Sequence, residues 1–349
     1  MRAGAQMIAV ALGSALAVLA CAVVAAVGGD VAALTSANSD AGPQFLARDA
    51  IWRSIFARPN LPPPATLDHI ATARIALGRT LFEDARLSGP GTRACASCHR
   101  QELGFTDGLI RPVGLNGELL KRNTPHLWNL AFASRFDWDG RAGSLEEQAL
   151  RPLLSRAEMA ADVDAVARRF ASDADMRARF VAAFPGPDPI TSETIRAALA
   201  AYVRTLVSPP TRFDRWVEGY DVALTAEELA GLRIFVGKGG CVACHGGWRF
   251  TDDDFHDIGL PVAAANADLG RGALPGGRAG VPHFKTPGLR DVARTAPYMH
   301  DGSLATLQDV IGHYAGGIIA RPSLATNLVR DLELTDDERA HLIAFLRTL

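Results

Sequence analysis

The chain has 349 residues, 48% of them hydrophobic and 21% charged, which is enough for two domains of ordinary size. Its formal net charge of −2 argues against nucleic acid or an anionic membrane as an electrostatic partner. Nothing in the composition marks a low-complexity or disordered tract.

The first element in chain order is apolar. No charged residue falls between Arg2 and Asp30, and Met7 to Val27 is almost wholly hydrophobic. Residues 1–30 therefore read as an export signal, with a retained N-terminal membrane anchor as the alternative because the stretch nearly spans a bilayer. Cys21 reads as a small apolar residue of that leader rather than a lipidated cysteine. Ile70, Ala73, Leu77 and Leu81 then recur at helical spacing ahead of Cys95-Ala96-Ser97-Cys98-His99. Ile195, Leu199, Tyr202 and Leu206 predict another amphipathic helix, ended by Ser208-Pro209-Pro210. Thr225 with Glu228 forms a capping box that opens the helix before Cys241-Val242-Ala243-Cys244-His245. Thr335 with Glu338 opens a closing helix whose apolar side is Leu342, Ile343, Phe345 and Leu346. The expected fold is mostly α, with two cytochrome c-like domains, 45–212 and 218–349, that meet near residues 208–222.

Cysteine usage carries the chemistry. Of the five cysteines, Cys21 lies in the leader and the other four make two Cys-x-x-Cys-His motifs, leaving no thiol for a structural disulfide. Two thiols on one helical turn reach the two vinyl groups of a haem, and the histidine that follows lies beneath the iron. A thioredoxin-like pair needs no trailing histidine, and a zinc site would want both motifs in one small module. The expectation is two covalent haem c groups, held by Cys95, Cys98 and His99 and by Cys241, Cys244 and His245. The flanks repeat as well: Gly78 to Phe82 corresponds to Gly231 to Phe235, and Phe105-Thr106-Asp107 corresponds to Phe250-Thr251-Asp252. One unit has been used twice.

With Trp138-Asp139-Gly140-Arg141 between the motifs and Pro297 to Gly302 after the second, the chain resembles the bacterial di-haem cytochrome c peroxidases and MauG from about residue 66 onward. That resemblance implies two c-type domains with a calcium ion between the haems. It makes Trp138 the electron relay between the haems and Glu158 the acid/base residue beside the peroxide-binding haem, with Gln148 a further pocket residue. It gives Asn123, through its side chain, and Thr295 and Pro297, through their carbonyls, as calcium ligands, a hard-oxygen set suited to that ion.

Two positions decide the branch within that family. Peroxidases that need reductive activation carry a blocking histidine sixteen residues after the first motif's histidine; here that position is Leu115, which cannot ligate iron. Where those peroxidases carry a methionine ligand for the second haem this chain has Tyr314, as MauG does; His313 and then Met299 are the rival ligands. A tyrosinate stabilises higher-valent iron, whereas methionine raises the potential. The implied function is a periplasmic, exported oxidoreductase that reduces hydrogen peroxide at the His99 haem and oxidises a protein substrate in MauG-like fashion. The alternative is a peroxidase supplied by a small cytochrome c or a cupredoxin, favoured by Gly237-Lys238-Gly239-Gly240, which puts no aromatic before the second motif. A non-catalytic electron carrier would leave Glu158 and an open iron without purpose.

Overall fold

The computed structural model describes residues 43–60, 68–262 and 267–349. The expected leader and Cys21 lie outside them. The helices in chain order are α1 (Pro43–Phe56), α2 (His69–Glu83), α3 (Leu145–Leu154), α4 (Val163–Ala171), α5 (Ala174–Ala183), α6 (Ser192–Arg204), α7 (Arg212–Val217), α8 (Ala226–Val236), α9 (Leu307–Gly312) and α10 (Asp336–Leu346). A two-residue hairpin, β1 (Phe255–His256) with β2 (Phe284–Lys285), is the one sheet among the described residues. None of the described helices is long and apolar enough to cross a membrane.

The unit from Trp52 to Leu349 holds two principal apolar cores. The first gathers Leu77, Leu81 and Phe82 of α2 with Val166, Phe170, Phe180, Ile195 and Leu199. The second gathers Phe213 and Trp216 of α7 with Leu232, Phe235, Phe250 and the α10 residues Leu342, Ile343, Phe345 and Leu346. Phe56 at the end of α1 joins this second core, stacked on Phe250 at 4.8 Å.

Each core is organised by one close helix crossing. Gly78 of α2 meets α6 so closely that a Cβ there would lie 2.7 Å from the Ala198 carbonyl carbon. Gly231 of α8 meets α10 in the same way, with 2.6 Å to the His341 carbonyl carbon. Only a residue without a side chain permits that approach. Both expected capping boxes are present, Thr225 with Glu228 and Thr335 with Glu338.

Helix α6 stops earlier than its apolar spacing predicts. It ends at Arg204, so Leu206 lies beyond it, although still buried. Asn129 explains the early stop: its N–H donates to the Leu206 carbonyl at 2.7 Å, and its Oδ1 accepts from Ser208 N at 3.0 Å. Those bonds satisfy backbone groups that another helical turn would have used.

Candidate functional site: two matched Cys-x-x-Cys-His centres

Each motif folds as a single tight turn, Cys95–Ser97 and Cys241–Ala243. The histidine N–H closes the turn onto the first cysteine's carbonyl, at 2.9 Å for His99 and 2.8 Å for His245. The chain then curls so that Phe105 and Phe250 adopt φ of 63° and 56°, a left-handed conformation uncommon for a bulky residue. That conformation aims the Phe105 carbonyl at His99 Nδ1, 2.9 Å away, and the Phe250 carbonyl at His245 Nδ1, 2.8 Å away. Burial holds both imidazoles below the usual histidine range, opposed by those carbonyls. The rings are therefore neutral with Nδ1 protonated, and Nε2 is left with the lone pair that a metal takes.

The thiols agree with haem attachment and not with the alternatives. All four are free of disulfides, and burial pushes Cys95 and Cys241 up to about 12. A redox pair needs a depressed thiol instead. Among the described residues, the group of potential metal ligands that clusters is Cys244, Asp252 and His256, which brings in one cysteine only; a shared zinc site is absent there. The donor set fits haem c twice over.

The duplication runs deeper than the flanks of the motifs. Thr124-Pro125 corresponds to Thr286-Pro287, and the register continues unbroken to Ser144-Leu145 and Thr306-Leu307, which open α3 and α9. The Asp107 carboxylate accepts the Thr124 hydroxyl at 2.9 Å, and Asp252 bonds Thr286 likewise. One position breaks the pattern in a telling way. His126 stands where the other half has Gly288, and its Nε2 donates to the Gly288 carbonyl at 3.1 Å. Burial pushes that imidazole down to about 4, so it is a neutral tie between the halves. Without the register, His126 is a lone histidine and gives no signal.

Of the predicted pocket residues, Glu158 acts on the first motif. Leu115 donates its N–H to the Ala157 carbonyl at 2.8 Å, which sets it against Glu158, and the Glu158 charge is felt at the Cys98 thiol. Arg93, which the sequence reading missed, binds the Val113 and Gly114 carbonyls at 2.6 and 3.1 Å and also bonds the Cys98 thiol. Gln148 bonds Asp137, next to Trp138, and its Oε1 is buried without a hydrogen-bond partner.

Trp138 lies in a loop closed by the Phe136–Ala142 bridge. Its indole N–H donates to the Asn123 carbonyl at 2.9 Å, and its own carbonyl accepts from Lys285 N at 2.8 Å. Asn123 is buried, with Nδ2 committed to the Leu109 and Ile110 carbonyls at 2.9 and 3.2 Å. The Asn123 N–H reaches the His300 carbonyl at 2.8 Å, which brings it to the loop carrying Pro297. The Thr295 hydroxyl turns back onto the Val292 carbonyl at 3.2 Å.

At the second motif Tyr314 sits in a short π-turn, His313–Gly317, a distortion that recurs at functional sites. Its phenol is desolvated beside Cys241 and Cys244, and both effects hold it above the usual tyrosine range. His313 is buried with Nε2 on the Ile258 carbonyl at 2.9 Å. Met299 occupies a left-handed corner, φ 73°, the repeat's counterpart of Asp137.

Two neutral histidines, each following a pair of disulfide-free, partly buried thiols, are the protein side of a c-type haem protein with two attachment sites. Residues 72–222 match the family model of the di-haem cytochrome c peroxidases, CCP_MauG. The methylamine utilization protein MauG of Methylorubrum extorquens is 44% identical over 316 residues, covering 90% of this chain and 88% of that one. The cytochrome c551 peroxidase of Nitrosomonas europaea is 35% identical over 275 residues, 78% of each chain. The chain belongs to the di-haem cytochrome c peroxidase and MauG family and is a di-haem peroxidase-type oxidoreductase. Among solved structures, a MauG-like protein associated with microbial copper homeostasis superposes with a TM-score of 0.74 at 34% identity, over 84% of this chain and 93% of that one.

Proposed function

We propose that this enzyme works in the periplasm, after export directed by residues 1–30, and carries one haem c in each of two cytochrome c-like domains. Hydrogen peroxide reacts at the His99 site, and the oxidising equivalents pass to a protein substrate as in MauG. The observation that carries this reading is Leu115, bonded through its backbone N–H to Ala157 next to Glu158, at the position where reductively activated relatives place a ligating histidine.

Bound haem would supply the redox chemistry at both centres, held by Cys95, Cys98 and His99 and by Cys241, Cys244 and His245. Leu115 offers no donor atom, so it would not ligate the iron of a haem held by His99. Glu158 would take the proton from the near oxygen of hydrogen peroxide and return it to the far oxygen, the acid–base help that O–O cleavage by a bound haem would draw on. Gln148, whose buried oxygen lacks a partner, orients the peroxide by accepting its other O–H. Trp138, fixed at its indole nitrogen and its carbonyl, holds an aromatic path between the two centres. Tyr314 is the fourth residue of the second centre, because His313 is already spent on the Ile258 carbonyl. Asn123 Oδ1 with the Thr295 and Pro297 carbonyls would hold calcium, and the Asn123 backbone ties that site to the Trp138 indole.

A second reading is favoured by one observation, the absence of an aromatic in Gly237-Lys238-Gly239-Gly240. On that reading electrons arrive from a small cytochrome c or a cupredoxin and the enzyme only removes peroxide. Mixing the fully oxidised protein with hydrogen peroxide in a stopped-flow spectrometer tests the primary reading. It requires reaction without an added electron. Inertness until one electron is supplied assigns the chain to the reductively activated peroxidases.

A further inference from the structure

The first centre has an oxidisable side chain that the mechanism above does not use. Phe82 lies beside His99 with ring centroids 6.5 Å apart, and Tyr202 meets Phe82 at 5.2 Å, edge to face. With His99, both rings line a cavity of about 520 Å³ whose rim carries the exposed carboxylates Glu83 and Glu102. Tyr202 is half-buried at this wall.

The internal repeat supplies a built-in comparison. Tyr202 packs its Cβ against Gly78 as Phe345 packs its own against Gly231. Phe345 lies 5.2 Å from Phe235, the counterpart of Phe82, and is fully buried. A phenylalanine therefore satisfies this crossing, and the hydroxyl of Tyr202 is an addition that packing does not require. Of the two ring types, only a phenol gives up an electron and a proton together at potentials a peroxidase reaches. Glu83, paired with Arg79 at 3.3 Å, is exposed on the same cavity, so the phenol has a solvated route for its proton.

We propose that Tyr202 is a second outlet for oxidising equivalents, delivering them one at a time to a small phenolic reductant in this cavity. In each cycle the Tyr202 O–H bond breaks. One electron passes by way of Phe82 and His99 to the oxidised centre, and the proton leaves to solvent in the cavity. The tyrosyl radical then takes a hydrogen atom from the reductant's O–H, which restores Tyr202 and releases a phenoxyl radical. Two cycles consume the two equivalents that one hydrogen peroxide supplies. This rests on the reading that the first centre consumes peroxide.

The test compares haem-loaded wild type with Tyr202→Phe, a change that Phe345 shows the fold accepts. Each protein is mixed with hydrogen peroxide, and consumption is followed in the same samples. Without reductant, freeze-quenched EPR and peptide mass spectrometry should find a tyrosyl radical and covalent oxidation at Tyr202 in the wild type, both absent from the variant. With guaiacol as the phenol, the oxidation rate should fall by ~10-fold or more in the variant. A wild type that consumes peroxide yet shows neither radical nor oxidation at residue 202 overturns the outlet, as does an unchanged radical in Tyr202→Phe. Undiminished guaiacol oxidation in the variant overturns the role of the cavity. A wild type that leaves peroxide untouched overturns the underlying reading along with the outlet.

Discussion

Replacing Gly78 with alanine sets two effects of known sign against each other. Alanine is favoured over glycine inside a helix by about 1 kcal/mol, so an open site would gain stability. At Gly78, however, the new Cβ would stand 2.7 Å from the Ala198 carbonyl carbon and 2.9 Å from Tyr202 Cβ, where ordinary contact begins at 3.4 Å. The nearest neighbour is the Ala198 carbonyl oxygen, helix backbone that cannot rotate aside, so α2 and α6 must separate by more than the 0.7 Å (3.4 − 2.7) that the carbonyl carbon alone would require. Overpacking of this kind typically costs about 1–3 kcal/mol, and a clash with backbone falls at the upper end. The net destabilisation is about 1–2 kcal/mol, or roughly 1–3 °C in Tm for a chain of this size. Gly312, with φ −59° and nothing within 4 Å of a Cβ, is the control: Gly312→Ala should melt at or above wild type. Differential scanning calorimetry of the three proteins reads the result. A Gly78→Ala protein that melts with the Gly312→Ala control would refute the close crossing, and with it the geometry that seats Phe82 beside His99.

The other expectations concern the centres. Glu158→Gln keeps the shape of the side chain but removes the base, so peroxide reaction should slow by ~10²-fold or more with haem content unchanged; a wild-type rate removes Glu158 from the mechanism. Tyr314→Met should raise the potential of the second haem in a redox titration, since a thioether favours ferrous iron; an unmoved potential assigns that ligand position elsewhere. Exhaustive chelation of calcium should disturb the spectra of both haems together, because Asn123 joins the proposed ion site to Trp138; unchanged spectra and turnover would remove the ion from the account.

Much of this was legible from residue spacing, and the remainder depended on contacts between distant parts of the chain. The capping boxes at Thr225 and Thr335 are local, set by a hydroxyl and a carboxylate three residues apart, and both formed as read. The end of α6 was misjudged because it is decided by Asn129, far away in sequence, whose amide and backbone claim Leu206 and Ser208. The two motifs announce haem attachment by composition alone, but Arg93 and His126 carry no local signature. Arg93 matters because the loop at Val113 folds back to it, and His126 because a glycine stands opposite. The sequence ranks Tyr314 ahead of His313 only through the family resemblance. In the structure His313 Nε2 is engaged with the Ile258 carbonyl, a contact that sequence spacing does not reveal.

The central claim is that the first centre is open at rest and the second is closed by a protein ligand. An EPR spectrum of the fully oxidised, haem-loaded protein addresses both halves at once. A first haem that Leu115 would not ligate predicts one high-spin ferric signal, and a second haem that Tyr314 would ligate together with His245 predicts one low-spin ferric signal, in equal amounts. Two low-spin signals would contradict the account, because a side chain would then be blocking the iron that Leu115 is argued to leave free.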